Sequence, residues 1–294
     1  MISAVIVNYN TGEYLKHCVA IALEFVDEVI VVDNDSTDTS IEVCSEAIGN
    51  DAKLKIIRNG SNLGFAAACN IGSDNSTGDK LFFLNPDCLL ERSTVSELIR
   101  ALESDRSIGM VGGLLLNPDG SEQGGGRRSI PTPWRSFVRA FGLNFLANRW
   151  PKLFNDFYLH NEPLPAQAME VEAISGACML VKSTAIADVG PWDDGYFLHC
   201  EDLDWCMRFR LKGWKILFVP SARVTHALGV SSQSRPIFVE WHKHKGMIRF
   251  YRKFFRHQYP GALMGLVVLG IWLRFVIVGT GYVVKRLAIP LFTR

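Results

Sequence analysis

The first ninety residues alternate short apolar runs with helix-like stretches, and this alternation constrains the fold more than any other feature. The apolar runs, rich in β-branched and aromatic residues, predict buried strands. They are 2–7, 29–32, 54–57 and 80–84. The stretches between them predict helices at about 13–23, 39–48 and 66–72. A repeated strand–helix order produces a parallel sheet with right-handed crossovers. We therefore predict an α/β fold, Rossmann-like, with a mostly parallel sheet and flanking helices.

Two acidic loops directly follow predicted strands. Asp33 comes after the second strand, and Asp87 follows the fourth within Asn85-Pro86-Asp87. Pro86 ends the strand because it has no N–H for the ladder. Open α/β sheets bind ligands beyond the carboxyl ends of their strands, so we expect both carboxylates at one sheet edge. A carboxylate there suits a hard divalent cation that carries phosphate oxygens. The tripeptide taken alone is equally consistent with a simple turn.

The segment 117–165 interrupts the alternation. It contains a Gly-rich stretch ending in Arg127 and Arg128, several prolines and many aromatic residues. Its length predicts a partly helical insertion over the sheet edge, of the kind that can close over a substrate. The two arginines have two interpretations at this point. They contact a diphosphate, or they are solvated loop charges of little energetic weight.

A second acidic cluster begins at Glu201, after a further predicted strand at 174–181. Acidic residues favour the first turn of a helix, so we predict a helix start here. Asp202 would then lie at the helix N-terminus, facing the pocket, where a carboxylate can act as a general base towards a hydroxyl. The alternative is that these acids only cap the helix. His226, which follows the last predicted strand at 214–219, is a candidate cation ligand because imidazole suits manganese.

Six motifs occur in order along residues 1–230. They are Val5-Ile6-Val7-Asn8-Tyr9-Asn10, Val31-Val32-Asp33-Asn34-Asp35-Ser36-Thr37-Asp38, Asn62-Leu63-Gly64-Phe65-Ala66, Leu84-Asn85-Pro86-Asp87, Ser175-Gly176-Ala177 and Glu201-Asp202-Leu203-Asp204-Trp205-Cys206-Met207-Arg208. Together they resemble family 2 glycosyltransferases, and most closely the bacterial rhamnosyltransferase-like branch. The resemblance implies a GT-A fold and an inverting transfer from a nucleotide-activated sugar.

The resemblance also implies roles for individual residues. Asp202 would be the general base, with Glu201 beside it in the catalytic pair. Asp87 would hold Mg²⁺ or Mn²⁺ against the diphosphate, and His226 matches a metal ligand of some members. Asn85 replaces the first Asp of the family's Asp-x-Asp motif, which leaves Asp87 as the surer ligand. The nucleotide-sugar would be bound by Asn8, Asp33, Asn34, Asn62, Gly64, Asn70, Asn85 and Asp87.

The last fifty residues change in character. Residues 243–256 carry six cations and no acidic residue, interleaved with aromatic residues. Residues 261–284 contain no charge except Arg274 and are long enough to cross a bilayer. Arg274 near the centre would cost about 2.5–3.5 kcal/mol on insertion scales. We predict a membrane-surface helix followed by a second membrane-associated segment. Spanning, re-entrant and in-plane arrangements remain open, as does a helix packed on the preceding domain or on a partner.

Net charge and cysteine content bear on the class of partner and on the cellular compartment. A net charge of +1 gives no support to nucleic-acid binding. Seven scattered cysteines without a CxxC pair argue against a disulfide framework or a zinc site and indicate a reducing compartment. The resemblance implies a GT-A domain at 1–230, and the change in character predicts a helical membrane-associating tail at 231–294. Together with the cysteines, this predicts a location on the cytoplasmic face of the inner membrane.

The expected partners are a dTDP-, UDP- or GDP-sugar donor, a lipid-linked or glycan acceptor, and the membrane. Two alternatives remain. One is a sugar-nucleotide nucleotidyltransferase, which usually carries a Gly-rich phosphate loop after the first strand, unlike residues 8–12. The other is a non-catalytic protein that binds sugar-nucleotides at a membrane, which would not need both Asp87 and Asp202.

Overall fold

The computed structural model describes residues 1–227 and 235–288. Its strands, numbered in chain order, are β1 (Ile2–Asn8), β2 (Glu28–Asp33), β3 (Leu54–Arg58), β4 (Lys80–Leu84), β5 (Cys88–Leu90), β6 (Ile108–Leu116), β7 (Arg127–Arg128), β8 (Met169–Glu170), β9 (Ala173–Ile174), β10 (Cys178–Lys182) and β11 (Lys215–His226). Its α-helices are α1 (Tyr14–Phe25), α2 (Ser40–Ile48), α3 (Phe65–Asp74), α4 (Thr94–Glu103), α5 (Pro133–Ala140), α6 (Pro151–Phe154), α7 (Ser183–Val189), α8 (Glu201–Leu211), α9 (Pro236–Phe254) and α10 (Gly261–Ala288). A 3₁₀ helix (Leu143–Asn148) lies between α5 and α6.

A mixed sheet of nine strands forms the centre of the described chain, in the order β3-β2-β1-β4-β10-β6-β11-β5, with β8 beside β11. The first four strands are parallel neighbours, as the strand–helix alternation predicts. β10 runs antiparallel between β4 and β6. Successive residues of a strand, such as Phe82 and Phe83, pack into two different apolar clusters. Because both faces of the sheet are covered, its strands are continuous apolar runs.

Two strands differ from their predicted extents. The run 174–181 is divided into β9 and β10, and β9 pairs with β7 in a separate two-stranded sheet. β11 continues beyond the predicted end at Val219, through Pro220, as far as His226. Its pairing with β6 is irregular between Val219 and Arg223, which accommodates a proline that cannot donate to the ladder. The longer strand carries His226 to the carboxyl edge of the sheet.

The insertion is partly helical, as predicted. It contains β7, α5, the 3₁₀ helix and α6. The Thr132 hydroxyl caps α5 by accepting the Arg135 N–H, and Pro133 follows at the first helical position, where a proline is well tolerated. The Ser136 hydroxyl lies 2.6 Å from the Tyr251 hydroxyl. The insertion therefore packs against α9, near the end of the chain.

The tail contains two helices, and α9 packs against the preceding domain. Phe250 and Tyr251 are buried within one of the two apolar clusters. The Asp193 carboxylate pairs with Arg249 at 2.7 Å and with Lys253 at 2.6 Å. Two of the cations predicted to face a membrane are thus used to dock α9. In the described residues, α10 is the one helix that is long and apolar enough to cross a membrane.

Candidate active site

A buried polar network joins the carboxyl ends of β1 and β2. Asn8 and Asp33 are register partners, and the Asn8 amide donates to the Asp33 carboxylate at 2.8 Å. The Asn8 amide also lies 2.9 Å from the Ser40 hydroxyl. Asp33 accepts a further hydrogen bond from the Ser36 hydroxyl at 2.6 Å. Asn8 is fully buried, and its hydrogen bond to Asp33 holds that carboxylate in one orientation.

The loop before α3 closes over the same edge. The Asn34 amide donates to the Gly64 carbonyl at 3.1 Å, and the Asn62 side chain accepts the Gly64 N–H at 3.0 Å. Gly64 has a φ of +88°, and a Cβ there would lie 2.6 Å from the Phe197 carbonyl oxygen. Only glycine fits this backbone and this approach. Gly64 thereby brings the loop against the segment that precedes α8.

Asn70, on α3, is used differently. Its amide donates to the Trp192 carbonyl and accepts the Trp192 N–H, both at 3.0 Å. Trp192 in turn packs against Trp205 of α8, with ring centroids 4.1 Å apart. Asn70 therefore fastens α3 to the segment that leads into α8. Both polar atoms of the Asn70 side chain are thus hydrogen-bonded to the Trp192 backbone, and they are not directed at Asp33 or Asp87.

The ends of β4 and β11 place a carboxylate and an imidazole side by side. Asp87 Oδ1 lies 3.2 Å from His226 Nε2, and both side chains are buried. The Asn85 amide nitrogen lies 3.3 Å from the same ring nitrogen. The contact exists because His226 pairs with Cys88 of β5 across the sheet edge. The structure thus brings together Asn85, Asp87 and His226.

Gln123 belongs to this site although no sequence pattern marked it. Its Oε1 lies 2.7 Å from His226 Nδ1, and its Nε2 donates to the His226 carbonyl at 3.3 Å. An acceptor on Nδ1 suits the tautomer with its proton on that nitrogen, in which Nε2 can coordinate an ion beside Asp87. Gln123 lies in the polar start of the insertion, which has neither helical nor strand periodicity, so only the fold could reveal it.

These side chains fit a divalent cation. Ligand atoms of Asp87, Cys88 and His226 all lie within 4.8 Å of one another. The Cys88 thiol donates to the Ala177 carbonyl at 3.4 Å, and sulfur is a softer ligand than Mn²⁺ or Mg²⁺ prefers. Asp87 and His226 are the residues that would hold an ion. A carboxylate with an imidazole suits Mn²⁺ somewhat better than Mg²⁺.

Asp202 lies in the first turn of α8, and each of its two carboxylate oxygens has a polar partner. One carboxylate oxygen accepts the Leu203 N–H at 2.8 Å, and the other forms an ion pair with Arg128. Arg128 also donates to the Ile174 carbonyl at 3.2 Å. Asp202 is therefore held between its own helix and the insertion, and it is more than a helix cap.

Neither Arg127 nor Arg128 is a solvated loop charge. Arg127 is almost fully buried and donates to both carboxylate oxygens of Glu122, at 2.7 and 3.1 Å. Its guanidinium lies 5.2 Å from the centre of the Phe218 ring. Burial opposes the charge of Arg128, but Asp202 raises the pKa of that guanidinium overall. Arg127 is thus structural, whereas Arg128 belongs to the site.

Glu201 is buried beside Asp202. Burial, and then the charge of Asp202, raise the pKa of the Glu201 carboxyl above its ordinary range. Its Oε2 atom has no hydrogen-bond partner among residues 1–227 and 235–288. A carboxyl with these surroundings favours its neutral form. The two acids of the pair therefore have opposite environments, one neutral and one held in an ion pair.

The segment 175–177 joins the two halves of the site. The Asn85 N–H donates to the Ala177 carbonyl at 2.9 Å. On the other side, a Cβ placed on Gly176 would lie 3.6 Å from the Asp202 Cβ. The loop 85–87 and the start of α8 therefore lie on either side of three backbone residues. Residues 175–177 are also the point at which the predicted strand 174–181 is divided into β9 and β10.

A family model described as "Glycosyl transferase family 2" matches residues 3–163, which is more than half of the chain. The chain belongs to glycosyl transferase family 2. This glycosyltransferase is similar to N-acetylglucosaminyl-diphospho-decaprenol L-rhamnosyltransferase of Mycobacterium tuberculosis, with 28% identity over 77% of this chain and 76% of that protein. It is also similar to rhamnosyltransferase WbbL of Escherichia coli, with 26% identity over 77% of this chain and 83% of that protein.

Solved structures extend the comparison to the fold of this glycosyltransferase. GalNAc-T7 with UDP, GalNAc and Mn²⁺ superposes with a TM-score of 0.59 at 19% identity, covering 77% of this chain but only 43% of that one. Mannosyltransferase PcManGT from Pyrobaculum calidifontis, in complex with GDP-Man and Mn²⁺, gives a TM-score of 0.58 at 14% identity, covering 99% of this chain and 81% of that one. The GT-A fold predicted from the motifs is confirmed.

Proposed function

We propose that this glycosyltransferase moves a sugar, with inversion, from a nucleotide-diphosphate sugar to a hydroxyl of a lipid-linked acceptor in bacterial cell-surface glycan synthesis. One observation carries the proposal: the Asp87–His226 pair and Asp202 lie on opposite sides of the segment 175–177. An inverting transfer needs a base on the acceptor side and charge stabilisation on the leaving-group side. The two carboxylates are placed to provide one function each.

On the donor side, Asp33 binds the nucleotide, and the loop containing Asn34, Asn62 and Gly64 shapes its pocket. Asp87 and His226 hold Mn²⁺ or Mg²⁺, and Asn85 lies beside them. When bound, the ion neutralises the charge that develops on the diphosphate. Asn8 and Asn70, which we predicted as nucleotide contacts, are assigned positioning roles because their amides are used within the protein.

On the acceptor side, Asp202 takes the proton of the acceptor hydroxyl. The hydroxyl oxygen then bonds to the anomeric carbon while the bond from that carbon to the diphosphate breaks. Arg128 orients Asp202 through their ion pair. Glu201 was predicted as part of the catalytic pair, but burial favours its neutral form, so we assign it a supporting position behind Asp202. No covalent intermediate with the protein is required.

The substrate class is inferred from the relatives and from the tail. The Mycobacterium tuberculosis relative is named for a diphospho-decaprenol acceptor, and both relatives are named as rhamnosyltransferases. We extend a lipid-linked acceptor and rhamnose to this chain because an apolar helix, α10, adjoins its GT-A domain. Nucleotide sugars are cytoplasmic metabolites, and the seven cysteines are free and buried, so we assign the enzyme to the cytoplasmic face.

A thermal-shift screen against dTDP-, UDP- and GDP-sugars, with and without Mn²⁺, tests the proposal. A ligand that binds only the native state stabilises it by about 2.7 kcal/mol at one hundred times its dissociation constant. We expect a metal-dependent shift with one nucleotide. Asp202→Asn should keep this shift and lose transfer to a polyprenyl-diphosphate acceptor. The proposal fails if Asp202→Asn still transfers, or if no donor shifts the melting temperature in Mn²⁺.

A further inference from the structure

Two exposed apolar areas lie outside the active site. The first, called the insertion surface, comprises Trp134, Phe137, Phe141, Phe145, Trp150 and Leu153. Phe141 and Phe145 are 68% and 66% exposed. The second, called the outer face of α10, comprises Leu263, Leu266, Leu269, Leu273, Val276 and Ile277. Exposed apolar areas of this extent mark interaction surfaces in soluble proteins.

α10 does not project away from the protein. Its buried Met264 joins the same apolar cluster as Phe250 of α9. Further along, the Trp272 ring lies 4.9 Å from Trp241, and Phe275 packs against the same part of α9. α9 and α10 therefore form an antiparallel hairpin over much of their lengths. One side of α10 is packed on α9, and the outer face remains uncovered.

This hairpin opposes a membrane-spanning arrangement. α9 carries Lys243, Lys245 and Arg252 along the length that accompanies α10. If α10 crossed a bilayer with α9 still packed beside it, these cations would enter the hydrocarbon, where charges are very costly. The alternative is that α10 separates from α9. Separation of α10 from α9 would break the packing of Trp272 and Phe275 against Trp241. An in-plane helix avoids both costs and keeps the exposed Arg274 near the headgroups.

The insertion surface adjoins this hairpin. The Ser136 hydroxyl is 2.6 Å from the Tyr251 hydroxyl of α9. A cavity of about 500 Å³ is lined on one side by Trp134 and on the other by Phe255 and Gln258, which directly precede α10. The insertion surface and the start of α10 are therefore neighbours.

The charges around these areas identify the partner. No acidic residue occurs between Arg127 and Asn155. Arg149 and Lys152 are exposed beside the aromatic residues and form no ion pair within the described part of the chain. Cations beside tryptophan and phenylalanine suit the interface of a bilayer that contains anionic lipids.

We propose that the chain attaches to one leaflet as a monotopic protein, with α10 in the plane of the bilayer and the insertion surface entering the same leaflet. The insertion also supplies Arg128 to Asp202. Membrane contact through the insertion would therefore bring the site to the depth at which a lipid-linked hydroxyl is presented. The mode of attachment itself does not depend on the transfer reaction.

Single fluorescent labels on the full chain can measure this arrangement. All seven native cysteines are buried, so a thiol-reactive probe labels an introduced one. The variants are Phe145→Cys, Leu263→Cys and Leu273→Cys, with Asn50→Cys as an exposed control at the opposite edge of the sheet. Vesicles of phosphatidylcholine and phosphatidylglycerol carry quenchers at graded depths. We expect the three labels at similar depth, about 5–10 Å below the surface, and the control in water.

The same measurement can overturn the proposal. A label at 273 near the midplane with the label at 263 shallow would show a spanning helix. A label at 145 that stays in water while 273 is quenched would exclude the insertion surface. If neither is quenched and sedimentation shows concentration-dependent dimers, the apolar areas cover a second copy of this chain. Each of these outcomes leaves the metal-dependent donor shift, and hence the proposed sugar transfer from a nucleotide donor, untouched.

Discussion

Arg128 and Asp202 form an ion pair that joins the insertion to the first turn of α8. They are 74 positions apart in the sequence. Both side chains are largely shielded from solvent, and Arg128 is fixed further by the Ile174 carbonyl at 3.2 Å. The insertion is therefore a structural part of the candidate active site, since it holds the residue that we propose as the base.

The first prediction concerns this pair. Arg128→Met leaves the Asp202 carboxylate without its partner, so it loses its fixed orientation. We expect kcat to fall about 10–100-fold while the donor dissociation constant changes less than about twofold, with partial recovery in Arg128→Lys. Arg100→Met, on the exposed surface of α4, is the control. An equal loss of donor affinity would mean that Arg128 acts on the donor side instead.

The second prediction separates the cation ligands. Asp87→Asn should weaken Mn²⁺-dependent donor binding at least about tenfold, because it removes the charged ligand. Cys88→Ala should leave this dependence intact, since Mn²⁺ prefers oxygen and imidazole ligands to sulfur. Titrations of donor binding at several Mn²⁺ concentrations measure both variants. If Cys88→Ala loses as much metal dependence as Asp87→Asn, the thiol is a ligand and our ligand set is wrong.

The third prediction compares two glycines with positive φ. A Cβ added at Gly60, where φ is +66°, would meet no atom within 4 Å, whereas at Gly64 it would lie 2.6 Å from the Phe197 carbonyl oxygen. Gly60→Ala should lower the free energy of unfolding only by the cost of a left-handed backbone at a residue with a Cβ, about 1–2 kcal/mol. Gly64→Ala should cost clearly more and should also reduce donor binding. Urea unfolding measures the free energy of unfolding of both variants. Equal losses of stability would mean that the protein accommodates the added Cβ beside Phe197 without further destabilisation.

The fourth prediction uses the buried acid. The folded-state pKa of Glu201 is raised from 4.5 to about 8. The folded state therefore binds more protons than the unfolded state in this range, and the wild type loses stability as pH rises. Glu201→Gln removes this loss. Its melting temperature relative to the wild type should increase between about pH 5 and pH 8. A constant difference across that range would show that Glu201 is charged in the folded protein.

The fifth prediction concerns the tail. A chain that ends at Glu240 lacks Phe250 and Tyr251, and each large aromatic residue lost from a core costs about 3–5 kcal/mol. We expect this chain to aggregate or unfold. A chain that ends at Pro260 keeps α9 and should retain the donor-dependent thermal shift. Equal stability of the two chains would show that α9 is dispensable for the fold.

The sequence by itself determined the elements of the parallel half of the sheet and the neighbourhood of the site. Local periodicity identified β1 to β4 because buried strands are continuous apolar runs. The strand–helix order then placed Asp33 and Asp87 at the carboxyl edge, which is a consequence of topology. The six ordered motifs predicted the family and the GT-A fold, and the comparisons confirmed both.

Tertiary structure alone decided which side chains meet. Gln123 reaches His226 from 103 positions away, and Arg128 reaches Asp202 across the insertion. It also decided that Arg249 and Lys253 dock α9 on Asp193, although their composition resembles a membrane-surface helix. The physical reason is range: periodicity and capping are set by residues within a few turns, whereas ion pairs and metal ligands depend on contacts that exist only after the sheet has assembled.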